Sequence, residues 1–262
     1  MSAIFDFTQA IVRTPGLSVA QGLRDGGGPD PDFGRVLIEH ATYVDALRDA
    51  GVEVDLLPPE EGYPDSIFVE DTALVFGEGA ILLRPGAETR AGEAALIEPV
   101  LRRHFETVLA LEHGHVDGGD VLVTPSAVII GLSHRTDRQG AEALSGLLAK
   151  LGKKALVADT PRGVLHFKTG CSLIDEETVF ALPAMAGCEA FAGLRVVETP
   201  EGEEGAANLL RVTDRVFIGD HWPKSIEMLE AMGVETVPLP VSEIAKIDAG
   251  LSCMSLRWKG ME

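Results

Sequence analysis

Three separated stretches of the chain repeat one rhythm of apolar and polar positions: Ala46 to Pro58, Leu147 to Val157 and Met228 to Pro240. In each, apolar residues spaced three and four apart predict an amphipathic helix. Each helix runs into Gly51, Gly152 or Gly233, and a short apolar strand follows at once. A glycine there suits the left-handed position that ends a helix. Between these stretches lie pairs of short strands, 71–76 with 80–84, 120–124 with 127–131, 171–175 with 178–182 and 208–212 with 215–219. Their short polar or Gly/Pro connections read as hairpin turns, so the repeating unit is strand, strand, helix, strand at intervals of roughly forty to fifty residues. Units of this kind arranged radially make a propeller-like α/β ring. No break in composition divides residues 1–262, which read as one domain. The loosest stretch, Arg24-Asp25-Gly26-Gly27-Gly28-Pro29-Asp30-Pro31, is either a plain connection or a mobile lid.

Composition narrows what such a ring meets. A chain of 262 residues with 45% hydrophobic content builds a continuous core. Its longest apolar runs, 80–83 and 127–130, fall far short of the roughly 20 residues a spanning helix needs, and no basic stretch leads into an apolar one at the start. A cytoplasmic location is the expectation. The three cysteines, Cys171, Cys188 and Cys253, are widely spaced and form no CxxC pair, which fits a reducing compartment. The net charge of −19 argues against nucleic acid and anionic membranes as partners and favours a small cation, although surface acidity also keeps a protein soluble. The chain is compatible with a homodimer, which its sequence leaves open.

Chemistry-bearing residues gather at the start of the first strand of each pair: Glu70-Asp71, Asp117-Gly118-Gly119-Asp120, His166 to Gly170, Asn208 and Ser252-Cys253. In a radial fold, equivalent strand starts converge on the axis. The alternative is that these are turn and cap groups satisfying backbone donors. Cys253 sits between Ser252 and Ser255, after Gly250, where a thiol is placed for a cleft, and reads as a nucleophile or else as an ordinary buried cysteine near a C-terminal strand. His166 would pass a proton to a leaving group and later take one from water, or else is a hydrogen-bonded core residue. Glu70, Asp71 and Asp117 would raise the pKa of a neighbouring thiol, a penalty that makes sense when the substrate is a guanidinium carrying compensating charge. Arg90 and Arg135 offer clamps for a carboxylate at the far end of an arginine-like molecule, or else each is a surface residue. The alternation His113, His115, Asp117 invites a zinc reading, but no downstream histidine stands at metal-site spacing.

Along nearly its whole length the chain resembles the dimethylarginine dimethylaminohydrolases of the guanidino-group modifying superfamily. The resemblance rests on residues 64–71 (PDSIFVED), 84–88 (RPGAE), 117–120 (DGGD), 165–170 (LHFKTG) and 252–257 (SCMSLR). It implies a five-bladed α/β propeller, or pentein, with no metal or organic cofactor. It also implies that Cys253 attacks the guanidinium carbon, that His166 protonates the departing amine and then activates water, and that a covalent thiouronium is hydrolysed to citrulline. By the same resemblance Asp117 belongs to the catalytic set and with Asp71 holds the guanidinium, while Arg90 and Arg135 hold the α-carboxylate. Asp65 and the backbone carbonyls of Leu23 and Ile247 receive the α-amine, Glu70 matches another binding position, and the loop around Gly26 matches a lid. Two alternatives stay open: a deiminase or other guanidino or ureido hydrolase, and a non-catalytic sensor of arginine-like cations.

Overall fold

A computed structural model describes residues 4–24 and 27–260. Asp25 and Gly26, at the centre of the expected lid, lie outside the described residues. The fifteen strands form five sheets of three, each an antiparallel pair whose central strand takes a parallel partner on its other edge. The first sheet holds β1 (Gln9–Arg13) and β2 (Glu53–Leu57), and the second holds β3 (Ala73–Phe76), β4 (Gly79–Leu82) and β5 (Val108–Ala110). The third holds β6 (Val121–Val123), β7 (Val128–Leu132) and β8 (Ala155–Asp159), and the fourth β9 (Cys171–Leu173), β10 (Thr178–Ala181) and β11 (Arg195–Glu198). The fifth holds β12 (Leu210–Val212), β13 (Arg215–Gly219) and β14 (Glu235–Leu239). The last strand, β15 (Ser255–Trp258), pairs antiparallel with β1, so the two ends of the chain share one blade. The order within it, β15-β1-β2, repeats the pattern of the other four.

The repeating rhythm has the physical basis the sequence suggests. Helices α1 (Phe33–Asp49), α3 (Arg138–Lys150) and α4 (Pro223–Ala231) each lead within a few residues to Gly51, Gly152 or Gly233, whose φ values are +86°, +71° and +84°. A side chain there would strain the backbone, whereas glycine turns the chain directly into the parallel third strand. Helix α1 buries Val36, His40, Tyr43, Val44 and Leu47, a stripe at helical spacing, and Asp32 caps its start by accepting from the Arg35 N–H. Helix α2 (Glu93–His104) supplies the corresponding element of the second blade. The fourth blade departs from the unit: Pro183, Gly187 and Gly193 interrupt the crossover, and two short 3-10 turns, Pro183–Met185 and Glu189–Phe191, replace its helix.

The buried apolar side chains form five clusters rather than one, among them a cluster joining α1 to the fifth blade through Tyr43 and Phe217. Among the described residues, no helix is long and apolar enough to cross a membrane.

Candidate active site

The innermost strands of the five blades are β15, β3, β6, β9 and β12, and a short turn precedes each. All five are 3-10 turns, and four of them carry Glu70-Asp71, Gly118-Gly119-Asp120, Phe167–Thr169 and Ser252-Cys253. Asn208 ends the fifth. One small pocket gathers Cys253, His166, Asp117, Asp71, Asp65, Arg90, Arg135, Leu23 and Ile247 from these turns and neighbouring loops. Its volume is about 40 Å³, room for a few water molecules and far less than an amino acid.

Two glycines make the convergence sterically feasible. A Cβ on Gly118 would sit 1.9 Å from the Glu70 carbonyl oxygen, and one on Gly119 would sit 2.8 Å from His166 Nδ1 and 3.0 Å from Asp71 Oδ1. Without side chains at 118 and 119, the second and third blades close on one another, and the Gly119 N–H donates to Asp71 Oδ1 at 2.7 Å.

His166 and Asp117 face each other, Nε2 to Oδ2, at 3.0 Å. Asp117 is fully buried, and its other oxygen accepts the Gly86 N–H at 2.7 Å. Burial opposes a charge on His166, but Asp71, the Asp117 hydrogen bond and Asp120 outweigh it and lift the imidazole to about 9. At neutral pH it is therefore an imidazolium, a proton donor in waiting. Asp120 received no role from the sequence, yet it fixes this turn. It accepts the Phe167 N–H at 2.8 Å, the Ser133 hydroxyl at 2.6 Å and the Thr136 hydroxyl at 2.7 Å.

The Cys253 thiol is pushed up to about 11 by burial first and then by Glu70 and Asp71. Asn208 works in the other direction. Its Nδ2 lies 3.5 Å from Cys253 Sγ, while its Oδ1 accepts the Ser252 hydroxyl at 2.9 Å and so holds the turn. Iodoacetamide alkylation of Cys253 is accordingly expected to be slow at pH 7. It should accelerate roughly tenfold per pH unit toward about 11, followed by peptide mass mapping. Burial also raises Cys171, which keeps that thiol out of the measurement. A plateau reached below pH 8 would mean that the carboxylates do not hold the thiol protonated.

The two arginines differ. Arg90 is buried, and its guanidinium is largely engaged: Nη1 lies 2.5 Å from Asp71 Oδ2, Nη2 lies 2.6 Å from Glu93 Oε2 and 2.8 Å from the Phe68 carbonyl, and Nε lies 3.0 Å from Glu93 Oε1. Of its five N–H groups, one on Nη1 remains for another acceptor. Glu93 was not singled out by sequence, although its place three residues after Arg90 on a helix start was visible. Arg135 is half-buried and lines the same pocket. Asp65 Oδ1 accepts the Leu23 N–H at 2.9 Å, which ties the start of the glycine-rich loop to the pocket wall. Ile247 ends a 3-10 turn capped from below by Glu39 of α1, whose carboxylate accepts the N–H groups of Glu243 and Ile244 at 2.9 and 3.0 Å.

Glu70 stands elsewhere. It neighbours Asp71 in sequence but lines a different cavity. Its Oε1 meets Lys168 Nζ at 2.6 Å and Arg257 Nη2 at 3.3 Å, and its Oε2 accepts from Ser252 Oγ at 3.3 Å. The zinc grouping does not assemble either: His115 is half-exposed and turns to Asp137, while Asp117 faces His166. The described residues that do bring possible ligand atoms within 4.8 Å of one another are Asp71, Asp117 and His166, all engaged in the hydrogen bonds and ion pairs above.

A half-buried thiol, an imidazolium and acidic side chains at the axis of five α/β blades define a class of proteins that act on guanidino groups. The family model for arginine deiminase matches residues 61–216. An N(G),N(G)-dimethylarginine dimethylaminohydrolase of Pseudomonas aeruginosa is 36% identical over 254 residues, covering 96% of this chain and 100% of the relative. A Cys-to-Ser mutant of the Pseudomonas aeruginosa enzyme, complexed with citrulline, superposes with a TM-score of 0.94 at 36% identity, over 97% of this chain and 100% of the other. A His-to-Gly dimethylarginine dimethylaminohydrolase forming an adduct with S-methyl-L-thiocitrulline gives 0.93 at 36% identity, over 96% and 100%. The chain belongs to the dimethylarginine dimethylaminohydrolase family, within the arginine deiminase group.

Proposed function

We propose that this chain hydrolyses N-omega-methylated arginines to citrulline and an alkylamine by covalent catalysis on Cys253. The observation that carries the reading is the meeting in one pocket of Cys253, His166, Asp71 and Asp117, with the imidazole raised to about 9 and the thiol raised to about 11 by burial first and then by carboxylates. A guanidinium entering between the carboxylates brings the positive charge that the thiol lacks at rest, so Cys253 releases its proton to solvent as substrate binds. The thiolate attacks the guanidinium carbon. His166 protonates the departing alkylamine as the C–N bond breaks, which leaves a thiouronium on Cys253 and a neutral imidazole. That imidazole takes a proton from water, the resulting hydroxide adds to the same carbon, and collapse expels the thiolate and releases citrulline, the hydroxyl proton passing through solvent to restore the Cys253 thiol.

Arg135 and the remaining Nη1 hydrogen of Arg90 would take the α-carboxylate, and Asp65 with the carbonyls of Leu23 and Ile247 the α-amine. No step in this reading calls on a metal or organic cofactor. A pocket of about 40 Å³ must enlarge to admit such a molecule, and Leu23 and Arg24, which border the glycine-rich loop, are the walls best placed to move.

Turnover of asymmetric dimethylarginine and monomethylarginine, measured as citrulline and amine, is expected to exceed that of arginine by at least about tenfold and to be indifferent to a chelator. Faster turnover of unmodified arginine would make the chain a deiminase. Tight binding of all three without turnover would make it a sensor.

A further inference from the structure

The axis of the ring has a second cavity of about 850 Å³, lined by the inner strands β3, β6, β12 and β15 beyond the turns that bear the catalytic groups. Glu70, Lys168, Ser252 and Arg257 line it and are joined to one another by the ion pairs and hydrogen bond of Glu70, and none of the four lines the catalytic pocket. The charge of this cavity runs against that of the chain. Six of the 22 basic residues line it, Lys153, Lys154, Lys168, Arg211, Arg257 and Lys259, against two of the 41 acidic ones, Glu70 and Glu78. Asp6 joins Lys259 at 2.7 Å and Glu78 joins Lys153 at 2.7 Å, while Lys168 and Arg257 share the single carboxylate of Glu70. Positive charge remains in excess. Among the described residues, Lys154 and Arg211 have no carboxylate within ion-pair distance; Arg211 donates instead to the carbonyls of Ile174 and Thr213 at 2.6 and 2.9 Å. Arg257 Nε is buried and has no hydrogen-bond partner among the described residues.

In a protein of net charge −19, a cluster of cations is held together against no general surface potential that would recruit anions. The wall beside these cations is apolar and aromatic: Phe7 and Phe5 lie under the Arg257 and Arg211 guanidiniums at 5.7 Å, and Phe76 and Trp258, largely buried in their blades, contribute their edges. A concave apolar wall with a few convergent charges of one sign is the usual make-up of a small-molecule site. We propose that this second axial cavity binds a small organic anion, a carboxylate on an apolar body, entered independently of the catalytic pocket. The apolar body would lie against Trp258 and the phenylalanines, and the carboxylate would lie among Arg211, Lys154 and the inner cations Lys168 and Arg257. The proposal does not depend on the reaction proposed above.

The test uses octanoate and its neutral counterpart octanamide on the full chain carrying Trp222→Phe, so that Trp258 is the sole tryptophan and reports occupancy by fluorescence. Saturable octanoate binding is expected, at least about tenfold tighter than octanamide because the charge is what the site selects. It should survive alkylation of Cys253, since the catalytic pocket is not involved. Lys154→Glu, an exposed position whose change leaves the fold intact, should weaken it by about tenfold at low salt. Arg211→Gln should weaken it likewise. Absence of saturation, equal affinity for the amide, loss on alkylation, or indifference to both substitutions would overturn the assignment. A salt-sensitive dimer that excludes octanoate would also overturn it and give the cavity to an acidic surface of a second copy.

Discussion

Replacing Cys253 by Ser is expected to lower kcat by roughly 10³-fold or more while leaving the melting temperature within a degree or two of the parent, because the change removes the nucleophile and almost nothing else. The thiol sits in a turn held by other groups: the Ser252 hydroxyl on Asn208, and Arg257 Nη1 on the carbonyls of Ser252 and Ser255 at 3.0 and 2.7 Å. Among the described residues, sulfur takes the 3.5 Å contact from Asn208 Nδ2 and a backbone hydrogen bond from Gly250, both of which a hydroxyl oxygen can accept as well. The chemistry is less forgiving. Burial and two nearby carboxylates already push a thiol to about 11. A hydroxyl, far less acidic to begin with, would not ionise there even with a guanidinium beside it. Binding should persist, so the variant is expected to retain affinity for citrulline by calorimetry while yielding no product in a single-turnover quench. A Cys253→Ser protein with more than a few per cent of parental kcat would remove the covalent thiol mechanism, and the His166 imidazolium would then have to act with water alone.

Much of this site was legible from sequence because the fold repeats. Gly51, Gly152 and Gly233 mark the same helix-to-strand junction three times, and once the units are aligned the polar residues at the strand starts fall into register. Convergence then follows from radial symmetry. What repetition could not convey was direction at the scale of one residue. Glu70 and Asp71 stand side by side at the same turn, yet Asp71 faces the catalytic pocket and Glu70 faces the other cavity, where Lys168 and Arg257 engage it. Consecutive side chains entering a strand point to opposite sides, and which one faces which side is set by the depth at which the turn enters the axis. The partners of charges were hidden for a related reason. Arg90 reads as a substrate clamp when only its neighbours 84–90 are considered, but Glu93 lies on the next helical turn and Asp71 comes from another strand start. Their meeting is a property of packing. The fourth blade gave its own warning in Pro183 and Gly187, which a repeat-based reading smooths over in favour of a helix.

The largest loss of stability is expected from Arg90→Met, which fits the volume of the arginine stem but leaves two acids behind. Arg90, Asp71 and Glu93 are each about 4% exposed or less, and the guanidinium bridges both carboxylates within 2.5 to 3.1 Å. Removing one partner of such a buried set typically costs about 3–5 kcal/mol, because the remaining charges keep their desolvation penalty and lose the attraction that offset it. Pairing with Arg90 and His166 now holds Asp71 below the usual carboxylate range, whereas Glu93 is already raised by burial despite Arg90. Without the arginine both folded-state pKa values would move up. A carboxyl raised in the folded state contributes stability that is present below its unfolded pKa and is lost as pH rises through the folded value. The deficit of Arg90→Met relative to the parent should therefore shrink toward pH 4 and be full at pH 8 in urea titrations. Combining it with Glu93→Gln should recover part of the loss at pH 8, since one orphaned charge is gone. A single variant as stable as the parent at pH 8, or a deficit that does not change with pH, would mean that solvent already reaches this cluster and that Arg90 is not the counter-charge that keeps Asp71 ionised for a guanidinium.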